Sequence, residues 1–308
     1  MDATLLLPLP GFEQLAMSFP GVEVMRPTIA HFENGELEVG LPAAVAGRDC
    51  VLLGTAAPPA DRLAGLLLAA DTLCRHGARS VSGVLPYMAY ARQDRLEPGR
   101  SLAAGWLGRM LAASGVRAVT TVDIHSRRAL ELMAMPVTSL SPAPLFAAVL
   151  GGAVTEDTVA VAPDRGALTR THTLASALCV ERPVAWMDKE RSPGGVTHKR
   201  VVGELAPHAL IFDDIVDTGE TLCSCCRELR ARGVEDITVS VTHGLFTGER
   251  WRELGDLGVS AIHTTDSVPG APARQSGLVH VHSLAPLLTE ALAGRVPGAG
   301  SRIAESRA

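Results

Sequence analysis

The sequence predicts an α/β protein with mainly parallel sheets, and three observations lead to this fold class. Short apolar runs rich in Val, Ile and Leu recur along the 308 residues. Amphipathic stretches of helical length separate several of these runs, and glycines stand near the ends of the stretches. Because strands that alternate with helices become parallel neighbours, the pattern favours sheets flanked by helices.

The predicted elements follow one another in a regular order. Strands are expected at 50–55, 80–87, 118–124, 158–164, 183–188, 209–214 and 237–244. Helices are expected at 61–76, 101–114, 166–179 and 219–232, and a last amphipathic helix, SLAPLLTEALAG, precedes a charged, Gly-rich tail. A Pro- and Gly-containing break at about 140–155 separates two such alternations. We therefore expect two similar domains, at 1–145 and 146–283, followed by a terminal helix and loose tail at 284–308.

Composition excludes several classes of protein. A net charge of −5 argues against nucleic acid or an anionic membrane as the main partner. The N-terminus does not resemble a signal peptide, and no apolar run approaches the length of a membrane span. Six cysteines form no regular framework, and we interpret the neighbours Cys223, Cys225 and Cys226 as small apolar residues of a helix. We expect a cytoplasmic protein that binds neither nucleic acid nor membranes.

The segment IFDDIVDTGETL, residues 211–222, carries the clearest chemical signal. Its hydroxyl groups, a glycine that permits close backbone approach and the N–H groups of a helix start together favour a phosphate monoester. Asp213 and Asp214 cannot bind that phosphate, so they are expected to accept hydrogen bonds from sugar hydroxyls or to face a metal. A turn that merely caps a helix is the alternative for a shorter motif. The segment therefore indicates a site for a phosphorylated sugar.

These twelve residues closely resemble the phosphoribosyl diphosphate motif of type I phosphoribosyltransferases and of ribose-phosphate diphosphokinases. The segment YMAYARQDR, residues 87–95, distinguishes the two, because a similar stretch contributes to the ATP site of the diphosphokinases only. HFENGELEV, residues 31–39, is similar to a family loop that contacts adenine across a subunit interface. Without the resemblance these segments would be a charged loop and an Asn-Gly hairpin turn. The chain is identified as a divergent diphosphokinase with two type I phosphoribosyltransferase-like domains.

The resemblance implies a role for each of several residues. The DIHS motif at 123–126 is similar to a metal-binding motif, so His125, together with Asp164, is expected to bind Mg²⁺. Lys189 and Arg191, in the charged segment WMDKERSPGGVTHKR, match the catalytic pair of a mobile lid. The residues expected to bind ATP are Phe32, Asn34, Gly35, Glu36, Arg92, Gln93 and Asp94. Those expected to bind ribose 5-phosphate are Arg191, Asp213, Asp214, Asp217, Thr218, Gly219, Glu220 and Thr221.

Three residues depart from the family pattern. Asn34 stands where Asp is usual, Glu190 replaces a basic residue, and Glu220 occupies a position of the phosphate turn that is often Gly. An amide can still hydrogen-bond to adenine, so we expect nucleotide binding to be retained. A carboxylate that pointed at the 5-phosphate would oppose its binding. If backbone N–H groups make the contacts to the phosphate, the side chain of Glu220 can face outward.

The resemblance implies that the β,γ-diphosphoryl group of ATP is transferred to the 1-hydroxyl of ribose 5-phosphate, giving phosphoribosyl diphosphate and AMP. It also implies Mg²⁺ as cofactor and a homodimer or hexamer. Two alternatives stay open. A non-catalytic regulatory relative would lose the Lys/Arg segment, which this chain keeps. A base-specific phosphoribosyltransferase would need residues 211–222 but not residues 87–95.

Overall fold

The computed structural model describes residues 4–41, 45–191 and 197–293, except for the side chains at 189–191, 197–199 and 293. Its N-terminal half begins with short elements, then alternates strands with helices. The elements are β1 (Leu5–Pro8), α1 (Glu13–Met17), β2 (Glu23–Val24), β3 (Thr28–His31), β4 (Leu37–Gly40), β5 (Asp49–Leu53), α2 (Ala60–Arg75), β6 (Ser80–Val84), α3 (Ala103–Ala113), β7 (Val116–Val122), α4 (Arg127–Glu131) and β8 (Val137–Leu140).

The C-terminal half repeats the alternation and ends in a helix. Its elements are α5 (Ala143–Leu150), β9 (Thr158–Ala162), α6 (Leu168–Ala177), β10 (Ala185–Arg191), β11 (Thr197–Val202), β12 (His208–Val216), α7 (Glu220–Ala231), β13 (Asp236–Gly244), α8 (Glu253–Asp256), β14 (Val259–Thr265), β15 (Val279–His282) and α9 (Ala285–Ala293). Single 3₁₀ turns occur at Arg165–Ala167, Arg250–Arg252 and Ala271–Arg274.

The two halves share one strand order. The N-terminal sheet runs β2-β1-β5-β6-β7-β8 and is parallel throughout. The C-terminal sheet runs β11-β10-β9-β12-β13-β14-β15 and is parallel except for the β10–β11 pair. Without β11 its order matches that of the N-terminal sheet, where a separate antiparallel hairpin, β3–β4, stands at the equivalent point of the chain. The predicted α/β class with two similar, mainly parallel units is confirmed.

Burial explains why these segments form strands and helices. Every residue of β9, TVAVA, is buried, as expected for a parallel strand covered by helices on both faces. Helix α7 buries the face that carries its three cysteines and two leucines. The prediction that Cys223, Cys225 and Cys226 act as small apolar residues is therefore confirmed.

The structure corrects two predictions about irregular segments. The break at 140–155 contains helix α5, because its apolar face can bury Phe146 edge-on against Phe212, with ring centroids 5.6 Å apart. The charged lid segment at 186–200 is largely strand, because β10 and β11 pair antiparallel from Trp186 opposite Val202 to Arg191 opposite Thr197. Residues 192–196 of that segment lie outside the described residues.

The halves also share hydrophobic cores. Leu284 and Leu288, at the start of α9, pack with Leu6 and Phe12 of the N-terminal half. The predicted terminal helix is thus present, whereas the predicted loose tail from residue 294 lies outside the described residues. Within the described chain, no helix combines the length and apolar character needed to cross a membrane.

Candidate active site

A cavity of about 1440 Å³ lies between the two halves, at the carboxyl ends of strands from both sheets. The segments that follow β7 and β12 line it, as do the 3₁₀ turn after β9 and the loop at 92–101. In parallel α/β sheets this edge is where ligands bind, because the loops that leave the strand ends can carry polar groups there. The topology therefore brings the predicted motifs to one place.

The phosphate turn, residues 217–221, connects β12 to α7 and lines this cavity. Gly219 has φ +87°, and a Cβ atom there would stand 2.7 Å from the Cα atom of Trp251, so only glycine fits. Helix α7 begins directly after it, and Cys223 donates its backbone N–H to the Gly219 carbonyl at 2.8 Å. The turn presents hydroxyls and helix-start N–H groups as the sequence predicted.

Two adjacent carboxyl groups at the end of β12 differ in pKa. The buried Asp214 contacts Nδ1 of His125 at 2.7 Å. Although burial opposes its charge, the hydrogen bond from His125 and the charge of Arg170 hold the pKa of Asp214 well below its usual range. Burial and the neighbouring Asp214 raise the pKa of Asp213 well above its usual range. The pair thus offers one ionised acceptor and one carboxyl group that retains its proton more readily.

Arg170, on α6, joins the two halves at the floor of the cavity. Its Nη1 atom lies 2.7 Å from Oδ1 of Asp123 and 3.8 Å from Oδ1 of Asp214, and its Nη2 atom donates to the His125 carbonyl at 3.0 Å. Thr242 donates its hydroxyl to the other oxygen of Asp123 at 2.6 Å. Burial raises the pKa of Asp123 to about 6, against the pull of Arg170 and Thr242. Arg170 therefore stabilises two buried acids and the backbone that carries His125.

Asp123 does not lie on a continuing strand with His125. Strand β7 ends at Val122, and Asp123 takes a left-handed conformation with φ +44°. The side chains of Asp123 and His125 would share a face only if the strand continued through both residues. Because it ends before them, this condition is not met. Asp123 turns into the seam between the halves, whereas His125 reaches Asp214.

The loop with the predicted ATP residues lines the opposite wall of the cavity. Arg92 forms an ion pair with Asp217 of the phosphate turn, with Nη1 and Oδ2 2.9 Å apart. Gln93 accepts a hydrogen bond from the Ser101 hydroxyl at 2.6 Å, and Asp94 accepts one from the Ser126 hydroxyl. The two motifs, 125 residues apart in the chain at Arg92 and Asp217, are thus in direct contact.

His125 and Asp164, the predicted metal ligands, both line the cavity. The contact of His125 Nδ1 with a carboxylate leaves Nε2 as the nitrogen with a free lone pair. Oδ1 of Asp164 accepts the backbone N–H of Ala167 at 3.1 Å, which leaves Oδ2 as a further acceptor. Within the described residues, no three His, Cys, Asp or Glu side chains form a closed metal site. The donor set suits an ion that keeps waters or substrate oxygens among its ligands.

The hairpin β3–β4 carries the other predicted ATP residues and does not contribute to the described lining of this cavity. Its turn is closed by the Phe32 and Glu36 backbones, and Oδ1 of Asn34 accepts the Glu36 N–H at 3.1 Å. Gly35 has φ +86°, and the ring of Phe32 is 52% exposed. The hairpin therefore presents an exposed aromatic ring away from the cavity of its own chain.

The side chains of the predicted catalytic residues, Lys189 and Arg191, lie outside the described part of the structure. Their backbones belong to β10, opposite Lys199 and Thr197 of β11. The hairpin extends from the edge of the C-terminal sheet, since β10 pairs with β9 at its start.

Two arginines that contact site residues were not among the residues predicted from the sequence. Arg170 had a detectable signal, because it lies three residues after Ala167 and four before Leu174, on the buried face of α6. A cation on such a face requires a buried acidic partner. Arg250, in the 3₁₀ turn after β13, forms an ion pair with Glu220 of the phosphate turn. No local pattern marks Arg250, since its partner is 30 residues away in the chain.

Comparisons with known proteins agree with this architecture. Residues 10–115 match the model of the N-terminal domain of ribose phosphate pyrophosphokinase, and residues 145–253 match that of the phosphoribosyl transferase domain. A ribose-phosphate pyrophosphokinase of Chromobacterium violaceum is 30% identical over 289 residues, covering 92% of this chain and 88% of the relative. One from Mycoplasma pneumoniae is 34% identical over 273 residues, covering 85% and 82%.

A solved structure is similar over almost the whole chain. The crystal structure of phosphoribosylpyrophosphate synthetase from Mycobacterium smegmatis matches with a TM-score of 0.85 and 27% identity, covering 96% of this chain and 99% of that one. The likeness therefore extends through both halves and the seam between them. The chain belongs to the ribose-phosphate pyrophosphokinase family.

Proposed function

We propose that this protein transfers the β,γ-diphosphoryl group of ATP to the 1-hydroxyl of ribose 5-phosphate, forming phosphoribosyl diphosphate and AMP. The observation that carries the proposal is the contact between Arg92 and Asp217, which puts the basic loop and the phosphate turn in one cavity. A base-specific phosphoribosyltransferase needs the turn but not the loop. Membership of the pyrophosphokinase family supports the same reaction.

The acceptor binds through the C-terminal half in this proposal. Hydroxyls and the N–H groups at the start of α7, which favour an anion, hold the 5-phosphate. The residues that provide these groups are Asp217, Thr218, Gly219, Glu220 and Thr221. Asp213 and Asp214 hold the ribose hydroxyls. Because Asp214 is ionised and Asp213 retains its proton more readily, the pair can both accept and donate hydrogen bonds.

ATP binds through the N-terminal half in this proposal. Arg92, Gln93 and Asp94 contact the nucleotide, with the guanidinium group suited to phosphoryl oxygens. Phe32, Asn34, Gly35 and Glu36 contact adenine from a neighbouring subunit. The exposed ring of Phe32, which faces away from its own cavity, supports a contact of this kind.

The reaction is an in-line displacement at the β-phosphorus of ATP. The 1-hydroxyl oxygen bonds to that phosphorus as the bond from it to the oxygen shared with the α-phosphorus breaks. AMP leaves with the bridging oxygen, and the hydroxyl proton passes to solvent. Negative charge grows on the phosphoryl oxygens, so fixed cations accelerate the reaction, and we assign this role to Lys189 and Arg191. Arg191 also contacts the acceptor.

Mg²⁺ is the cofactor in this proposal. His125 and Asp164 would hold it, since both line the cavity and each keeps a donor atom available. When bound, the ion supplies positive charge to the phosphoryl oxygens. Asp214 orients the ring of His125 through the 2.7 Å contact, which would leave Nε2 as the nitrogen available to the ion.

A direct assay tests the reaction. The pure protein is incubated with ATP, Mg²⁺ and ribose 5-phosphate, and AMP and phosphoribosyl diphosphate are measured in equal amounts if the proposal is right. Nucleotide binding without AMP would indicate a non-catalytic regulatory relative. Release of diphosphate from phosphoribosyl diphosphate in the presence of a free base would indicate a phosphoribosyltransferase.

The proposal includes a cytoplasmic homodimer or hexamer with domains at 1–145 and 146–283 and a terminal segment at 284–308.

Subunit mixing tests whether neighbouring subunits share an active site. Phe32→Ala and Lys189→Ala variants, each of which we expect to be nearly inactive, are unfolded and refolded together. Because some mixed sites receive both natural residues, roughly a quarter of the natural activity should return after random mixing. No recovery, with mixed oligomers shown by mass spectrometry, would place the hairpin in its own chain's site.

A further inference from the structure

The ion pair between Glu220 and Arg250 joins the phosphate turn to the segment that follows β13. Glu220 is the first residue of α7 and lies at the rim of the cavity, so its carboxylate starts close to the place proposed for the 5-phosphate. Both side chains are about half exposed, at 54% for Glu220 and 48% for Arg250. The pair therefore holds a flexible acidic side chain that could otherwise turn into the site.

Backbone contacts hold the main chain around Arg250 against the phosphate turn. Residues 245–247 donate N–H groups to the carbonyls of Val216 and Asp217, with Thr247 N and Asp217 O 2.9 Å apart. Trp251 packs closely against Gly219, because a Cβ atom added to Gly219 would stand 2.7 Å from the Cα atom of Trp251. The Cys223 thiol contacts the Arg250 carbonyl at 3.7 Å. The segment is thus fixed against the turn, with Arg250 beside the first turn of α7.

The charges of Glu220 and Arg250 determine how this ion pair affects phosphate binding. An unpaired carboxylate at the start of α7 would compete with a phosphate for the same N–H groups and would repel it. Paired with Arg250, it adds no net charge to the turn. Arg250 also lies 4.0 Å from Glu253, which Arg227 contacts at 2.8 Å, so the guanidinium group is positioned by acids on one side of the turn.

We propose that Arg250 is a positioning residue for the acceptor site: it holds the carboxylate of Glu220 away from the 5-phosphate and balances the negative charge that this carboxylate adds to the phosphate turn. The inference rests on the proposed function, since it takes residues 217–221 to hold a phosphate monoester. It assigns to a residue outside the cavity lining a role in affinity for the sugar phosphate, and it accounts for the departure at Glu220.

Kinetics and direct binding test the assignment. Arg250→Ala should raise KM for ribose 5-phosphate about tenfold, the scale of a freed charge near a partly screened phosphate. KM for ATP should not change, because Glu220 lies in the acceptor turn. Arg227→Ala removes an arginine of the same charge cluster that contacts Glu253 and not the turn, and it should leave both constants unchanged. An unchanged KM for ribose 5-phosphate in Arg250→Ala would overturn the assignment.

The double variant Glu220→Gly/Arg250→Ala separates positioning from direct contact. Without the carboxylate there is nothing to hold aside, so KM for ribose 5-phosphate should return to the natural value or below. A KM as high as that of Arg250→Ala alone would mean that Arg250 binds the phosphate itself, and the assignment would be wrong. Salt should reduce the effect of Arg250→Ala, since the freed charge is exposed.

Two further measurements keep the test decisive. If Arg250→Ala does not fold, Arg250→Gln keeps most of the side-chain stem, loses the charge and carries the same expectation. Calorimetric titration with ribose 5-phosphate measures the same affinity without turnover. A natural protein that binds ribose 5-phosphate but makes no AMP would contradict the proposed reaction, and the titrations would still decide the role of Arg250.

Discussion

The two walls of the cavity differ in charge although the halves that form them share one strand order. Among the described residues, the N-terminal wall carries four arginines against three acids, whereas the C-terminal wall carries five acids against one arginine. The N-terminal residues are Arg92, Arg95, Arg100, Arg127, Asp94, Glu97 and Asp123. The C-terminal residues are Asp164, Asp213, Asp214, Asp217, Glu220 and Arg170.

This difference teaches how one scaffold can serve two substrates. A basic wall favours a polyphosphate, whereas an acidic wall favours sugar hydroxyls and cations. The strands fix where the loops end, and the loop residues decide what each wall binds. In the proposed reaction the acidic wall also accepts a phosphate, where α7 begins and Arg250 balances the charge of Glu220.

The largest expected effect comes from Lys189, a basic residue of the β10–β11 hairpin in the acidic half. Lys189→Ala should lower turnover at least about 100-fold, because the lost charge acts on the transition state. KM for ATP should change little, since the basic wall is intact. Lys199→Ala, directly opposite in the hairpin, is the matched control. Steady-state kinetics check this, and near-normal turnover in Lys189→Ala would remove it from the chemistry.

Arg170 tests whether the acidic wall depends on its single described arginine. Arg170→Met leaves Asp123 and Asp214 buried without their cation and should lower the free energy of unfolding by about 3 kcal/mol. Denaturant unfolding measures the loss. Arg127→Met, which breaks an exposed pair with Glu131 at 3.3 Å, should cost less than about 0.5 kcal/mol. Equal losses in both variants would show that the network adds no stability of its own.

The pH dependence of stability tests the contact between the two halves at His243. Its ring stands 4.8 Å from that of Tyr87, and burial lowers its pKa from 6.5 to about 4. The unfolded chain therefore binds this proton more readily, so stability is lost as pH falls from 6.5 towards 4. Between pH 7 and pH 5 the natural protein should lose about 2 kcal/mol more than His243→Gln.

Denaturant unfolding at the two pH values checks this difference. His208→Gln, which changes an exposed histidine near Asp236, should keep the natural pH dependence. If His243→Gln lost stability with pH as steeply as the natural protein, protonation of the seam would not explain the loss.

The smallest expected effect concerns Arg92, on the basic wall. Arg92→Ala should raise KM for ATP about tenfold, because one guanidinium contact to phosphate is lost. Thermal stability should change little, since the pair with Asp217 is exposed. Arg109→Ala, on the exposed face of α3, is the control. A rise in KM for ribose 5-phosphate as large as that for ATP would show that the walls do not divide the substrates.

Much of the fold could be predicted from local patterns. Seven apolar runs became β5, β6, β7, β9, β10, β12 and β13, and four amphipathic stretches became α2, α3, α6 and α7. Helix α5 was missed, because Pro and Gly at its ends resemble a linker until Phe212 provides a packing partner. The extent of the β10–β11 hairpin was missed because its charged residues are held by backbone pairing and not by an apolar face.

The site residues also fall into those that local patterns predict and those that they do not. Residues 217–221 could be recognised because their chemistry is contained in a short stretch, in which a glycine and hydroxyls precede a helix. The partners Arg170 and Asp123, 47 residues apart in the chain, could not be paired without the fold. The same holds for His125 with Asp214 and for Arg250 with Glu220.

The sequence alone determined the alternation of strands and helices, the phosphate turn and the basic loop, because each is written in neighbouring residues. Only the tertiary structure decided that the turn and the loop meet across one cavity, that Arg170 stabilises its acids, and that Glu220 faces Arg250. The physical reason is the distance along the chain over which each kind of interaction acts. Periodicity and turn chemistry act over a few residues, whereas ion pairs and burial depend on which distant segments the sheets bring together.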